Sequence, residues 1–193
     1  MLLIIDNQSS FIKKFKRNFL SEQNIEYRFV DHNEPLVIKE DEKVEGIILS
    51  GGKGSPYEPL NLTADFVAMM NYDVPTLGIC LGYEIIAVAH LGRIKKLVKY
   101  NQRLETVKVT RMDDPIFQGL ISDEVTLRKQ HTYQVSKMPK DFIKLGESDT
   151  CDIEIVRHKD KQIYGFQSHP EVSGVNGMLI MRNFLNMCGF EVM

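Results

Sequence analysis

Residues 74–90 have the sequence VPTLGICLGYEIIAVAH, in which a short apolar segment leads directly into a longer one. The first part, residues 74–79, has the length and apolar character of a buried strand. The second part, residues 81–90, predicts a helix that ends before Gly92. A strand followed at once by a helix is the repeating unit of α/β proteins, so this segment determines the predicted fold class.

The first half of the chain repeats this alternation. Apolar strands are predicted over residues 1–6, 25–31 and 44–50, and helices are predicted from Ser9 and over residues 61–72. Alternating strands and helices favour parallel strands with helices on both faces. The sequence therefore predicts an α/β fold with an open, mostly parallel, twisted sheet flanked by helices.

The second half is predicted to be rich in strands. From Arg103 the sequence RLETVKVTR alternates apolar and polar residues, which is typical of a half-exposed strand. Further strands are predicted over residues 125–129, 142–147, 153–157 and 163–167, and a closing helix over residues 174–188. The sequence contains no internal repeat or linker, so residues 1–193 are predicted to form a single domain.

Composition and charge exclude several classes of function. The chain has 24 basic and 26 acidic side chains and a net charge of −2, so no general positive field attracts nucleic acid. Asp6 interrupts the N-terminal apolar run before it reaches the length of a signal peptide, and the polar residues within segment 77–92 argue against a membrane span. The three cysteines form no C-x-x-C pair. We expect a cytoplasmic protein that binds neither nucleic acid nor membrane.

Cys80 is the candidate nucleophile. It is the centre of a G-x-C-x-G motif at residues 78–82, where the predicted strand turns into the predicted helix. This is the arrangement of a nucleophile elbow with sulfur in place of oxygen. The flanking glycines relieve crowding of the backbone, and the helix N-terminus favours thiolate over thiol. Taken alone, the motif is equally consistent with a buried structural cysteine.

His169 and Glu171 are the candidate base and the acid that orients it. They follow the predicted strand 163–167, and Pro170 between them restricts His169 to extended geometry. Side chains two residues apart then leave on the same side, so the carboxylate can hold one ring nitrogen while the other faces Cys80. Cysteine, histidine and acid are the residue types of a nucleophilic triad. Taken alone, the sequence HPE is more often a plain turn.

The glycine-rich turn SGGKG, residues 50–54, lacks the spacing and the immediate helix of a phosphate-binding loop. We expect it instead to supply a backbone N–H group. If the N–H groups of Gly52 and Leu81 converge beside Cys80, they form an oxyanion hole, in which loss of one donor typically costs about 10²–10³ in rate.

Three motifs in this order resemble the class I glutamine amidotransferases over essentially the whole chain: LSGG at 49–52, GICLG at 78–82 and HPE at 169–171. The resemblance implies that the cysteine attacks the γ-amide of L-glutamine and that ammonia leaves with a proton from the histidine. Water then hydrolyses the γ-glutamyl thioester, and the ammonia passes to a synthetase partner.

Within this family the chain is most similar to the glutaminase subunit of two-subunit GMP synthetase, through PIFQGL at 115–120, His131, Val172 and segment 177–188. The resemblance implies a separate ATP pyrophosphatase subunit that activates XMP with ATP and Mg²⁺ and uses the ammonia to make GMP. ATP and Mg²⁺ belong to that partner. We expect no cofactor and no metal in this chain, because no His or Cys pair has ligand spacing.

The resemblance also places five residues in the glutamine pocket: Gly54, Glu84, Gln130, Thr132 and Tyr133. A plain strand edge is the alternative for segment 130–133. Glu84 stands where the family has glutamine. A carboxylate cannot donate the hydrogen bond of an amide, and its charge would raise the pKa of Cys80, so we expect weak hydrolysis when the synthetase is absent. Thr132, Tyr133 and Ser168 also depart from the subfamily pattern.

Three other functions remain open from the sequence. The glutaminase component of anthranilate or aminodeoxychorismate synthase shares the fold and triad but feeds another acceptor. A γ-glutamyl hydrolase is a different activity on the same scaffold. A non-catalytic regulatory protein would keep the scaffold alone, and the complete set of Cys80, His169 and Glu171 argues against it.

Overall fold

The computed structural model describes residues 1–39, 42–58 and 61–192, in which nine β-strands and four α-helices occur. The strands are β1 Leu2–Asp6, β2 Tyr27–Asp31, β3 Gly46–Leu49, β4 Thr76–Ile79, β5 Arg93–Val109, β6 Glu124–Lys137, β7 Phe142–Ser148, β8 Cys151–His158 and β9 Ile163–Phe166. The helices are α1 Ile12–Asn18, α2 Thr63–Asn71, α3 Leu81–Ala89 and α4 Gly174–Met187. None of the helices in these ranges is long and apolar enough to cross a membrane.

All nine strands form one sheet in the order β2-β1-β3-β4-β9-β8-β7-β5-β6. The five strands from β2 to β9 run parallel to one another. The remaining strands extend the same sheet with antiparallel pairing. The predicted α/β class is confirmed, because the first half of the chain builds the parallel part and the strand-rich second half builds the antiparallel part.

Helices cover both faces of the parallel part, as predicted. Successive side chains of a strand point to opposite faces, and β1 shows the consequence. Leu2 and Ile4 pack with buried residues of α1 and α4, whereas Leu3 and Ile5 pack with buried residues of α2 and α3. All four side chains are completely buried. Two apolar cores therefore fix the sheet between its helices, and burial of each such side chain contributes about 1.5–3 kcal/mol.

The long hairpin of β5 and β6 differs most from the sequence prediction. β5 begins at Arg93 rather than Arg103, and β6 extends to Lys137. Segment 93–102 is mostly polar or charged and largely exposed, and its pairing shifts between Lys96 and Asn101, so that residues 97–100 bulge out of the ladder. The bulge interrupts the alternation on which the prediction depended. It also brings this part of β5 to the edge of the pocket described below.

Candidate active site

A pocket of about 220 Å³ lies at the carboxyl ends of β3 and β4, against the middle of β6. Crevices at the carboxyl ends of parallel strands are the usual ligand sites of α/β sheets. All predicted site residues except Glu171 line this pocket: Gly52, Gly54, Cys80, Leu81, Glu84, Gln130, Thr132, Tyr133 and His169. The structure therefore brings together residues that are far apart in the sequence.

Cys80 occupies a strained turn between β4 and α3. Its φ of 51° and ψ of −106° lie in a region that residues other than glycine seldom adopt, at a cost of order 1–3 kcal/mol. The glycines on either side allow the turn, since a Cβ at Gly82 would lie 2.1 Å from the Leu49 carbonyl oxygen and a Cβ at Gly78 would lie 2.7 Å from that of Gly82. The predicted nucleophile elbow is therefore present in the backbone.

His169 and Glu171 form the predicted acid–imidazole pair. The 3₁₀ turn Pro170–Val172 brings the Glu171 carboxylate back to the ring, where Oε1 lies 2.7 Å from Nδ1 of His169. The His169 N–H donates to the Arg128 carbonyl of β6 at 2.8 Å, and Phe11 packs edge-on against the ring. These contacts fix the imidazole, and both side chains of the pair are buried.

Gly51 shows how closely Cys80 and His169 approach. A methyl group built on Gly51 would lie 2.7 Å from Cε1 of His169 and 3.5 Å from Cβ of Cys80. Nε2 of His169 is buried and has no hydrogen-bond partner among the described residues. The thiol itself donates to the Gln130 carbonyl oxygen at 3.6 Å. With Nδ1 occupied by Glu171, Nε2 is the ring nitrogen available to exchange a proton with the thiol.

Burial dominates the titration of this pair. Burial raises the pKa of Cys80, and the charges of Glu84 and Glu171 add to that, while the His169 imidazole lowers it. The lowering predicted from the helix N-terminus is thus outweighed. Burial lowers the pKa of His169, but Glu171 and the Cys80 sulfur more than reverse this and raise it to about 10. The thiolate is therefore favoured only beside a protonated imidazole, which then holds the proton that a leaving amine needs.

The loop after β3 presents the predicted oxyanion-hole donor. Asn7 holds this loop, because its N–H donates to Ser50 Oγ at 2.9 Å and its side-chain amide donates to the Ser50 carbonyl at 3.1 Å. The Gly82 N–H donates to the same carbonyl at 3.2 Å, which links the loop to the elbow. Within the described ranges, the N–H groups of Gly52 and Leu81 donate to no other residue. Both residues line the pocket beside Cys80.

A buried carboxyl supports this loop from behind. Asp65 of α2 is fully buried, and its Oδ1 accepts a hydrogen bond of 3.0 Å from the Asn7 amide. Its Oδ2 and the Asn7 side-chain oxygen are buried without a partner among the described residues. Burial raises the pKa of Asp65 to about 6, although the hydrogen bond from Asn7 lowers it in part. The sequence gave no indication of this support.

Glu84 is the pocket residue that differs most from its predicted behaviour. The side chain is buried, and its Oε1 accepts a 3.0 Å hydrogen bond from Nε2 of Gln167. Burial raises the pKa of Glu84 to about 8, and the Gln167 hydrogen bond lowers it only in part. At neutral pH the carboxyl is therefore mostly protonated, and the negative charge expected beside Cys80 is largely absent. That expectation was wrong because it treated Glu84 as solvated.

Segment 130–133 combines the two roles that the sequence left open. It is part of β6 and lines the pocket at the same time. The Gln130 amide donates to Ser10 Oγ at 3.0 Å. The Tyr133 hydroxyl donates to Glu58 at 2.8 Å, which ties the loop containing Gly54 to the hairpin. A strand edge and a pocket wall are therefore the same feature here.

Five further pocket residues were not among the predicted site residues: Ser9, Ser10, Lys53, Tyr100 and His131. Ser9 and Ser10 follow β1, so the rule that sites lie beyond the carboxyl ends of parallel strands was a usable signal. Lys53 belongs to the glycine-rich turn itself. Tyr100 lies in the β5 bulge, for which the sequence offered no signal.

The described part of the chain contains no group of three or more His, Cys, Asp or Glu side chains placed to hold a metal ion. The chemistry that the pocket residues offer is that of a thiol, an imidazole, buried carboxyls and backbone N–H groups. This set is suited to acyl transfer through a covalent thioester.

Comparison with known proteins agrees with this chemistry. The sequence matches the family Glutamine amidotransferase class-I over residues 3–188. The A-type subunit of GMP synthase (glutamine-hydrolyzing) from Methanocaldococcus jannaschii is 34% identical over 193 residues, which cover 99% of each chain. Its counterpart from Pyrococcus furiosus is 34% identical over 190 residues, which cover 98% of this chain and 99% of the relative. A solved protein of Thermoplasma acidophilum superposes with a TM-score of 0.81 at 26% identity and covers 97% of this chain and 93% of its own.

Proposed function

Because this chain belongs to the class I glutamine amidotransferases, we propose that it hydrolyses L-glutamine to glutamate and ammonia as the glutaminase component of a GMP synthase. The observation that carries the proposal is the grouping of Cys80, His169 and Glu171 around one pocket. The relatives named as GMP synthase components, aligned over nearly their full length, support GMP synthesis over the anthranilate and aminodeoxychorismate alternatives.

In the first half-reaction, the Cys80 sulfur attacks the γ-carbonyl carbon of glutamine. The carbonyl oxygen becomes negative and accepts hydrogen bonds from the N–H groups of Gly52 and Leu81. As the C–N bond breaks, Nε2 of His169 gives its proton to the nitrogen, and ammonia leaves. The product on the enzyme is a γ-glutamyl thioester. Glu171 holds the ring through Nδ1 and stabilises its protonated form.

In the second half-reaction, water attacks the thioester carbonyl. His169, now neutral, takes a proton from the water through Nε2, and the same two N–H groups bind the oxyanion again. The C–S bond breaks, and the sulfur leaves as a thiolate beside the protonated imidazole. Glutamine and water have become glutamate and ammonia, and the resting enzyme is restored.

The pocket walls bind the rest of the substrate. Gly54, Gln130, Thr132 and Tyr133 contact the α-amino and α-carboxylate groups, mainly through backbone atoms. Glu84 lies deeper, beside the γ-amide. The glycine-rich loop and β6 both line the pocket, which supports this division of the site.

The relatives are named as one of several subunits, which supports a partner for this chain as well. We infer that the partner is an ATP pyrophosphatase. It activates XMP with ATP and Mg²⁺ and receives the ammonia, so the cofactor and the metal act outside this chain. The match over residues 3–188 supports a single glutaminase domain. Its location in the cytoplasm stays a prediction from the sequence.

The deciding experiment measures ammonia release from glutamine by the isolated chain and by the chain mixed with ATP, XMP and the pyrophosphatase. We expect a large rise with the full mixture, together with GMP formation. Cys80→Ser is the matched control and should abolish both. A thiol-directed glutamine analogue should label Cys80 and no other cysteine. Absence of labelling, or ammonia release that survives Cys80→Ser, would refute the proposal.

A further inference from the structure

The environment of Glu84 differs from that of a normal acidic side chain. The residue is 2% exposed, it lines the pocket, and only burial and the Gln167 hydrogen bond act on its titration. Among the described residues, no lysine, arginine or histidine lies close enough to shift its pKa. A buried carboxylate without a cation is costly, so the neutral acid is the favoured form.

The hydrogen bonds determine which oxygen carries the proton. The Val135 N–H donates to Oε1 of Gln167 at 3.2 Å, which fixes the orientation of the Gln167 amide. Nε2 of Gln167 must then donate to Oε1 of Glu84, and this oxygen acts as an acceptor. Oε2 of Glu84 has no partner in the described chain. The proton therefore belongs to Oε2, and its O–H group is left for a ligand in the pocket.

We propose that Glu84 binds glutamine as a neutral carboxylic acid, whose Oε2–H group donates a hydrogen bond to an acceptor oxygen of the substrate. The proposal rests on the proposed glutaminase function and adds the protonation state on which substrate binding depends. When Glu84 loses this proton, the pocket loses a donor and gains a negative charge four residues from Cys80 on the same helical face. Glutamine hydrolysis then falls as pH rises.

Several other titratable groups face the same space. They are Cys80 and Tyr83 from the α3 region, His131 and Tyr133 from β6, Lys53 from the glycine-rich loop and His169 after β9. The charge of Glu84 raises the pKa of both Cys80 and Tyr83. Since His169 and Cys80 titrate in the same pocket, a fall in activity at high pH alone does not identify Glu84. The test must compare variants.

The test measures kcat/KM for glutamine from pH 6.5 to 9.5 in the chain with its synthetase partner, ATP and XMP. With a pKa of about 8 for Glu84, kcat/KM of the unmodified chain should fall about tenfold between pH 6.5 and 9. Glu84→Gln has nearly the same shape but no proton to lose, so its kcat/KM should fall less than about twofold over this interval. Gln167→Leu removes the bond that lowers the pKa of Glu84 and should move the fall to higher pH.

The result that overturns the proposal is the same pH profile in the unmodified chain and in Glu84→Gln. Hydrolysis with that result would leave the glutaminase function intact and refute only the role of the Glu84 proton. A second measurement is independent of activity. The infrared difference spectrum between the unmodified chain and Glu84→Gln at pH 7 should contain the C=O stretch of a protonated carboxyl. If the difference shows a carboxylate instead, the proposal is wrong even if neither protein hydrolyses glutamine.

Discussion

Replacement of Gly52 by alanine tests the oxyanion hole directly. A Cβ at this position would lie 2.2 Å from the Asn7 carbonyl oxygen, 2.8 Å from a methyl group of Leu81 and 2.9 Å from Cβ of Asn7. Real Cβ contacts under 3.0 Å are essentially never seen. Two of these three contacts are to Asn7, which is itself tied to the loop by two hydrogen bonds. The loop, and not its neighbour, must therefore move.

The size of the effect follows from these contacts. The loop has to move by about 0.8 Å or more, and a displacement of about 1 Å at a reacting centre costs on the order of 10²-fold in rate. Loss of one oxyanion donor costs about 10²–10³. We expect Gly52→Ala to lower kcat by about 10²–10³, or about 3–4 kcal/mol of transition-state stabilisation. KM should stay within about threefold, because the donor acts mainly on the developing oxyanion.

Steady-state glutamate release and thermal unfolding together check this prediction. Gly46→Ala is the matched control, since its Cβ would lie 2.3 Å from Cys188 Sγ at the other end of β3, away from the pocket. Both variants should lose about 1–3 kcal/mol of stability through overpacking, but Gly46→Ala should retain kcat within about threefold. A folded Gly52→Ala protein whose kcat is also within threefold of the unmodified chain would refute Gly52 as an oxyanion donor.

Three further predictions concern buried charges. Glu171→Gln removes the charge that raises the pKa of His169, so kcat should fall by roughly 10²–10⁴; a change under threefold in glutamate release would contradict it. The folded chain keeps a proton on Asp65 up to about pH 6, whereas the unfolded chain releases it near pH 4, so stability falls as pH rises through this window. Asp65→Asn should therefore raise the free energy of unfolding in urea by up to about 3 kcal/mol at pH 8 and leave it unchanged at pH 4, and an equal effect at both pH values would be the contrary result. Lys129 and Glu154 form a completely buried ion pair, so Lys129→Met should cost about 3–5 kcal/mol in the same assay. The double change with Glu154→Gln should recover part of that loss, and no recovery would show that the uncompensated charge is not its cause.

The parallel part of the fold could be predicted because its strands are buried on both faces. Continuous apolar runs such as residues 44–50 and 74–79 stand out against their polar flanks. The hairpin of β5 and β6 could be predicted only in part. Segment 93–102 is largely exposed and mostly polar or charged, and a bulge breaks its alternation, so its strand conformation comes from pairing with β6 rather than from its own pattern.

The triad could be predicted as residue types, but its assembly depends on strand order. Gly78 pairs with Gly165 and Ile79 with Phe166, so the ends of β4 and β9 lie side by side. Cys80 and His169 follow these ends by a few residues and meet beyond the sheet edge. Nothing in the periodicity of residues 163–167 indicates that this strand pairs in parallel with β4 after four antiparallel strands have been formed. Only the resemblance to a family supplied that order.

Charge was the property that sequence reasoning handled least well. From the sequence, Cys80 was expected to titrate low and Glu84 to be ionised, and burial reverses both expectations. The same burial leaves Asp65 with a raised pKa behind the loop that holds Gly52. A residue type states which proton a side chain has to give, whereas the solvent and partners around it determine at which pH the proton leaves. Since general acid–base chemistry depends on the second quantity, the protonation states of this pocket follow from the packing of α3 and β9 and not from its motifs.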